Sequence, residues 1–242
     1  MSNWTAPFTG NILVECWGAG GDGFIGDNTF PRWGGGGGGG EYARKTIAVV
    51  MSTVYPYNVG SFSAGGANHG SWFQAPSTMI ANGGTAASFH ASAPGGTGGI
   101  GDVLFNGGDG FPCPAPEGQM LPGGGGGSSA GRNAPGNNGG HPAGGAMPPV
   151  GGAGADGGSY PDGPGHTATE CGGGGGGAGA GSATNPVPQG SGQNGAVIIW
   201  SAGDWNFITG QPKPGARMLL EDGVLPAGAG APSIQRTAFF MF

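Results

Sequence analysis

Gly34 through Gly40 is unbroken glycine, and Gly172 through Gly177 is a second such run. Side chains cannot organise a segment that has none. Ordering each residue costs roughly 1–2 kcal/mol of backbone entropy, and glycine buries no side chain in return. A folded glycine run must therefore recover that free energy through its peptide groups. Left-handed three-fold helices of the polyglycine II type offer the route: they point every N–H and C=O outward. Without side chains, neighbouring helices approach closely enough to hydrogen-bond to one another, with Cα–H···O contacts in support. At about 3.1 Å per residue, Gly34–Gly40 would span roughly 22 Å in that form. Ala81–Gly84, Gly95–Gly99, Gly123–Gly127, Gly151–Gly154 and Gly172–Gly181 read as further segments of this kind. The glycines between Gly118 and Gly195 keep no strict G-X-Y register, so the chain is not collagen.

The runs are bracketed by strand signals. Residues Asn11 to Trp17 alternate, with Ile12, Val14 and Cys16 on one side and Leu13, Glu15 and Trp17 on the other. A strand is expected from about Glu41 to Met51. Another is expected over Tyr55–Val59, where Pro56 points to a sheet edge. Ser71–Phe73 and Thr78–Ile80 read as short strands. Ala196–Trp200 is apolar throughout and is expected to pair with the N-terminal strand. Between them lie proline-rich loops, Phe105–Leu121, Arg132–Val150 and Asp156–Glu170. With 63 Gly and 21 Pro in 242 residues, composition alone would favour disorder. Two features oppose that. Only 8% of residues are charged, and the chain carries 6 Trp and 12 Phe, which are costly to leave in water. The expected fold is all-β, with essentially no helix before Gly203. After Gly203 glycine thins out. Residues 1–202 therefore read as a glycine-rich β/polyglycine domain, and 203–242 as a C-terminal tail for docking or oligomerisation. The tail ends in an apolar run that either folds back onto the domain or docks on a partner, with Phe239, Phe240 and Phe242 the candidate docking residues.

Several function classes are disfavoured. The formal net charge is −6 with 7 Lys and Arg, and no basic cluster exists, which argues against nucleic-acid binding. No apolar stretch reaches membrane-spanning length, and no secretory signal opens the sequence. Cys16, Cys113 and Cys171 form neither a disulfide framework nor a zinc pattern and read as reduced structural thiols. His69, His90, His141 and His166 lack metal-ligand spacing. Gly151–Asp156 matches the start of a calcium-binding G-G-x-G-x-D repeat, but it occurs once and has no stacking neighbours. Asp22, Asp109, Asp156 and Asp162, beside glycines, read as turn residues. No nucleophile elbow and no dinucleotide fingerprint in a strand–helix context is present. No cofactor, no metal and no catalysis are expected.

What remains for function is a set of loop-borne rings. Trp33 and Trp72 adjoin regular segments and read as caps on the glycine bundle. Phe30, Phe111, His141, Tyr160 and His166 sit among Pro, Asn and Asp in loops between glycine segments. Binding groups favour loops held on a rigid scaffold, so these five are the candidate receptor-binding residues; for Phe111 and Tyr160 capping of the glycine bundle is an equal reading.

The order of motifs resembles a known glycine-rich domain. Its opening is Ile12-Leu13-Val14-Glu15-Cys16-Trp17-Gly18-Ala19-Gly20-Gly21. A long glycine run then leads into Glu41-Tyr42-Ala43. Tyr55–Gly60 and Ala81-Asn82-Gly83-Gly84 follow, and Gly195–Trp200 closes the domain. Domains of this kind recur in bacteriophage tail-fibre and receptor-binding proteins, and a similar one forms the ligand-binding region of the anaplastic-lymphoma-kinase receptor. The resemblance covers roughly Asn3 to Ser201. It implies a β-sandwich or jelly-roll-like framework with an inserted polyglycine II helix bundle. It further implies a virion tail-fibre or tail-tip protein, made in the host cytoplasm, whose loops act as an adhesin. The partners would be a bacterial surface receptor, either an outer-membrane protein or a polysaccharide, and other tail or fibre proteins, with a homotrimer as one assembly. The alternative within the same resemblance is a purely structural virion subunit, such as a fibre shaft or decoration protein.

Overall fold

The computed structural model describes residues 1–25, 34–62, 69–88, 91, 93–112, 122–160, 163–179, 187–206, 211–214, 216 and 218–223. Eleven strands lie among them: β1 (Ser2–Thr5), β2 (Gly10–Trp17), β3 (Tyr42–Val49), β4 (Val54–Asn58), β5 (Ser71–Phe73), β6 (Ile80–Ala81), β7 (Val103–Phe105), β8 (Ala196–Ser201), β9 (Trp205–Asn206), β10 (Gln211–Pro212) and β11 (Met218–Gly223). One sheet has the order β1-β4-β5-β6, and a larger one has the order β11-β8-β2-β3-β7. The ladders are antiparallel. β9 and β10 form a separate two-stranded ribbon. The chain is all-β, with no α-helix among the described residues.

Alternation in β2 does the sorting. Ile12, Val14 and Cys16 join Ala43, Ile47, Val49, Val197 and Ile199 on one face of the large sheet. That face meets Trp4, Tyr55, Tyr57, Phe73 and Met79 from the small sheet's side, which makes a sandwich. Leu13 and Trp17 point the other way, into a second cluster with Tyr42, Ile198, Trp200 and Trp205. The central strands are thus buried on both faces, which explains why β8 reads as continuous apolar sequence. Cys16 and Cys171 are free and buried, and burial pushes both thiols well above their usual range.

Three local expectations differ from the structure. Pro56 lies in β4, an inner strand rather than an edge. The ladder from β5 reaches β4 at Tyr57 and Asn58. Beyond it the Gln74 N–H donates to the Pro56 carbonyl, so the missing proline N–H falls where β5 has already ended. The short strand expected over Thr78–Ile80 forms instead at Ile80–Ala81. Val103–Phe105, a strand that was not expected and whose last residue opens the stretch Phe105–Leu121 read as loop, pairs with β3. β11, within the C-terminal tail, pairs with β8 of its own chain and so extends the large sheet. Phe239, Phe240 and Phe242 lie outside the described residues.

From the end of the large sheet where Trp17, Tyr42 and Ala196 are paired, the glycine segments run outward. Their hydrogen bonds step by three residues. Gly34, Gly37 and Gly40 donate to the carbonyls of Ala178, Gly175 and Gly172. Their own carbonyls accept from Gly124, Gly127 and Ala130. Phe24, Gly21 and Gly18 donate to Gly35, Gly38 and Glu41, while Gly36 and Gly39 donate to Phe111 and Gly108. Gly38 and Glu41 donate to Thr85 and Asn82, and the Gly39 carbonyl accepts from Gly96. One glycine strand is thereby bonded in turn to successive neighbours all around it. Three residues is the period of a polyglycine II helix. The reason for glycine here is close approach: a Cβ at Gly36 would overlap the Gly125 carbonyl, and one at Gly39 the Ser128 carbonyl.

Candidate functional site

The bundle has two ends, which its hydrogen bonds define. Beside the sheet lie Gly18, Gly40, Glu41, Asn82, Ala130, Gly172 and Asn194, joined by direct backbone bonds. At the far end Gly34 bonds to Ala178 and Gly124, Gly123 to Gly158, Phe111 to Gly125, Gly125 to Gly140, and Gly158 to Gly177. Phe24, Phe111, Gly140, Gly158 and Ala178 therefore all lie at or beside this far end. Phe111 and His141 meet there, and Tyr160, two residues beyond Gly158, lies toward the same end. His166 sits about one three-residue step nearer the sheet, its N–H donating to Asp156 O and its carbonyl accepting from Gly176. Phe30 lies outside the described residues.

At that end, Phe111 is half-buried and its ring faces His141, centroids 5.6 Å apart. An imidazole nitrogen of His141 lies 2.9 Å from the Pro122 carbonyl, and the His141–Pro142 peptide bond is cis. His141, Tyr160 and His166 are exposed, Tyr160 by 42%. The ring pair is thus anchored on one side and open on the other. Trp72, expected as a bundle cap, is buried in β5; Trp33 lies outside the described residues.

The aspartates differ from the expectation of turn residues. Asp22 Oδ1 accepts the Gly192 N–H at 2.9 Å, Asp109 Oδ1 that of Gly95 at 2.9 Å, and Asp156 Oδ1 that of Gly144 at 2.7 Å. Glu41 takes two such bonds, from Asn82 and Gly99, and Glu170 takes one from Ala153. These carboxylates occupy places where a glycine segment has an N–H and no neighbouring carbonyl to give it to. Asp162 lies outside the described residues. Burial raises the Asp22 and Glu41 carboxyls above their usual range, against the lowering effect of those same hydrogen bonds.

On the bundle's outside, exposed residues recur at three-residue spacing. Pro135, Asn138 and His141 form one row, Ala143, Ala146 and Pro149 the next, then Asp156 and Ser159, then Pro164 and Thr167. Asn137, Pro142, Met147 and His166, off these rows, are exposed as well.

A buried polar cluster joins bundle to sheet, and sequence reasoning did not find it. Glu15, fully buried on β2, accepts four hydrogen bonds. Arg132 gives two, Nε to Oε1 at 2.7 Å and Nη2 to Oε2 at 2.9 Å. The Tyr42 hydroxyl donates at 2.6 Å and Trp200 Nε1 at 2.6 Å. The Arg132 guanidinium lies 5.4–5.9 Å from the rings of Trp17, Trp200 and Trp205. Burial, followed by the neighbouring Glu15 charge, holds the Tyr42 hydroxyl well above its usual range, as a protonated donor. Only the charged residue in an apolar strand, Glu15, could have signalled this arrangement.

The model of a glycine-rich domain family matches residues 1–202. The chain belongs to that family. The match ends one residue beyond β8, so it takes in the sandwich and the whole bundle and leaves β9–β11 outside. No curated protein is significantly similar to this glycine-rich-domain protein. Among the described residues no cluster of His, Cys, Asp and Glu is placed to hold a metal ion, and no helix is long and apolar enough to cross a membrane.

Proposed function

We propose that this is a bacteriophage virion protein of a tail fibre or tail tip, and that it binds a host surface receptor through the loops at the far end of its glycine bundle. The observation that carries the reading is the half-open Phe111–His141 ring pair at one end of the bundle, with Tyr160 exposed toward the same end. A support whose peptide groups bond to one another holds contact residues with little further ordering on binding. Family membership and the phage-like order of motifs support the same reading. Aromatic faces beside Asn138 and Asp109 suit a sugar ring or a protein loop. Copies repeated on a particle would supply avidity from weak individual sites. The protein acts by binding, without a cofactor, and is mounted on other tail or fibre proteins by its sandwich end or its C-terminal region, as a single copy or as a trimer.

Flow cytometry of labelled protein on candidate host cells, with unlabelled protein as competitor, tests this. Saturable, competable binding is the expected result. Its absence both for the free protein and for a multivalent display would overturn the adhesin reading and leave a structural fibre or decoration subunit.

A further inference from the structure

The buried cluster on the second face of the large sheet is short of one acceptor. Glu15 is saturated: its two oxygens already take bonds from Tyr42, Trp200 and both arms of Arg132, and a carboxylate offers about four acceptor positions. Arg44, on β3, brings a second guanidinium to the same cluster, 5.3 Å from the ring centroid of Trp205. Among the described residues, the side chains bonded or stacked in this cluster are two guanidinium groups against one carboxylate. Arg44 Nη1 and Trp205 Nε1 are both buried and have no hydrogen-bond partner among the described residues. Asp102 is near in sequence to strand β7, and its N–H donates to the Arg44 carbonyl, but its Oδ2 is turned to the Thr46 N–H. A buried donor left unpaired is costly, more so when it is charged.

We propose that a small anion of the halide class binds between Arg44 Nη1 and Trp205 Nε1. The chemistry fits. One donor is cationic and one is a neutral indole N–H, so the site supplies a full charge and a directed hydrogen bond, both shielded from water. Two donors suit a monovalent anion, whereas a multiply charged oxyanion would need more than these two to offset its loss of water. The anion balances the excess charge and ties β9, which lies beyond the family-matched region, to β3. It is independent of the receptor-binding reading.

The test is thermal unfolding of the full chain at fixed ionic strength, with chloride or bromide replacing methanesulfonate, together with crystals grown in bromide. Halide should raise the midpoint saturably, by about 2–4 °C at concentrations well above the dissociation constant. Trp205→Phe removes one donor and keeps the ring; it should abolish most of that response, as should Arg44→Met. Bromide should give an anomalous peak within hydrogen-bond distance of both nitrogens. A water without anomalous signal there, or a carboxylate from elsewhere in the chain, would overturn the proposal. So would a halide response that both variants retain.

Discussion

Arg132 lies in the glycine bundle's sequence, and it closes both of its carboxylate bonds on Glu15, 117 residues earlier, at 2.7 and 2.9 Å. Beside it the Trp17 indole donates to the Ala130 carbonyl, also at 2.9 Å. The two contacts fix where the glycine segment ending at Ala130 meets the sheet. Backbone bonds between glycine segments carry no such information, because one three-residue step looks like the next. Removing one partner leaves the other charge buried. Arg132→Met should cost about 3–5 kcal/mol, while Arg132→Met combined with Glu15→Gln should recover part of that. Arg132→Lys should also be destabilising, because a lysine cannot span both oxygens. Urea unfolding of the three variants checks this; equal stability of wild type and Arg132→Met would sink it.

Close approach makes the long runs glycine, with left-handed backbone required in them only at Gly172, φ +70°. Gly36→Ala and Gly39→Ala each set a methyl against a carbonyl of an adjacent segment. Backbone cannot give way as a side chain can, so each should cost about 1–3 kcal/mol or more. Gly140 is the control: a Cβ there meets the Ala143 carbonyl at 3.4 Å, ordinary contact. Gly140→Ala should be neutral or should stabilise by about 0.4–1 kcal/mol through the unfolded chain. Denaturant midpoints for the three variants separate the two classes.

The strands were legible because side chains alternate. Period-two patterning in Asn11–Trp17 placed Ile12, Val14 and Cys16 on one face and Leu13 and Trp17 on the other, as observed. β8 was legible for its unbroken apolar run, and so was its pairing with β2. The partners of Glu15 were not, since nothing local links it to an arginine 117 residues on. Nor was the work of Asp22, Asp109 and Asp156: a carboxylate that caps another segment's N–H has the same neighbours in sequence as one that makes a turn. The three-residue rows on the bundle surface were hidden for a further reason. Each segment is only a few residues long, and the register of these rows restarts from one segment to the next, so no single register runs through. The meeting of Phe111 and His141 follows from the hydrogen-bond pairing of their segments and not from spacing.

Glu41 should give the bundle a measurable pH dependence. Burial raises its carboxyl above 4.5 in the folded state, so the folded protein binds that proton more tightly than the unfolded chain does. Stability from this group is fully present below the unfolded value and is lost as pH rises through the folded one. Glu41→Gln lacks the ionisation but also loses one acceptor for Asn82 or Gly99. The destabilisation caused by Glu41→Gln should therefore be largest near pH 4 and shrink toward pH 7. Urea unfolding of both proteins across that range tests it; a difference independent of pH would count against the burial argument.

Phe111 and His141 offer the sharpest test of the receptor-binding reading, because their contact is local and open to solvent on one side. Phe111→Ala removes the ring that backs His141, and His141→Ala removes the exposed face while sparing the backbone bonds on either side, Gly125 to Gly140 and Gly157 to Pro142. Contact residues of this kind commonly carry a large share of binding free energy. Each variant should weaken binding to host cells on the order of tenfold, a loss of about 1.4 kcal/mol. Thermal midpoints should stay close to wild type for His141→Ala, since the bundle's own bonds remain. Competition binding on host cells beside thermal unfolding distinguishes the outcomes. Reduced binding with an unchanged midpoint places the ring pair at the contact. Unchanged binding for both variants would move the contact elsewhere on the bundle.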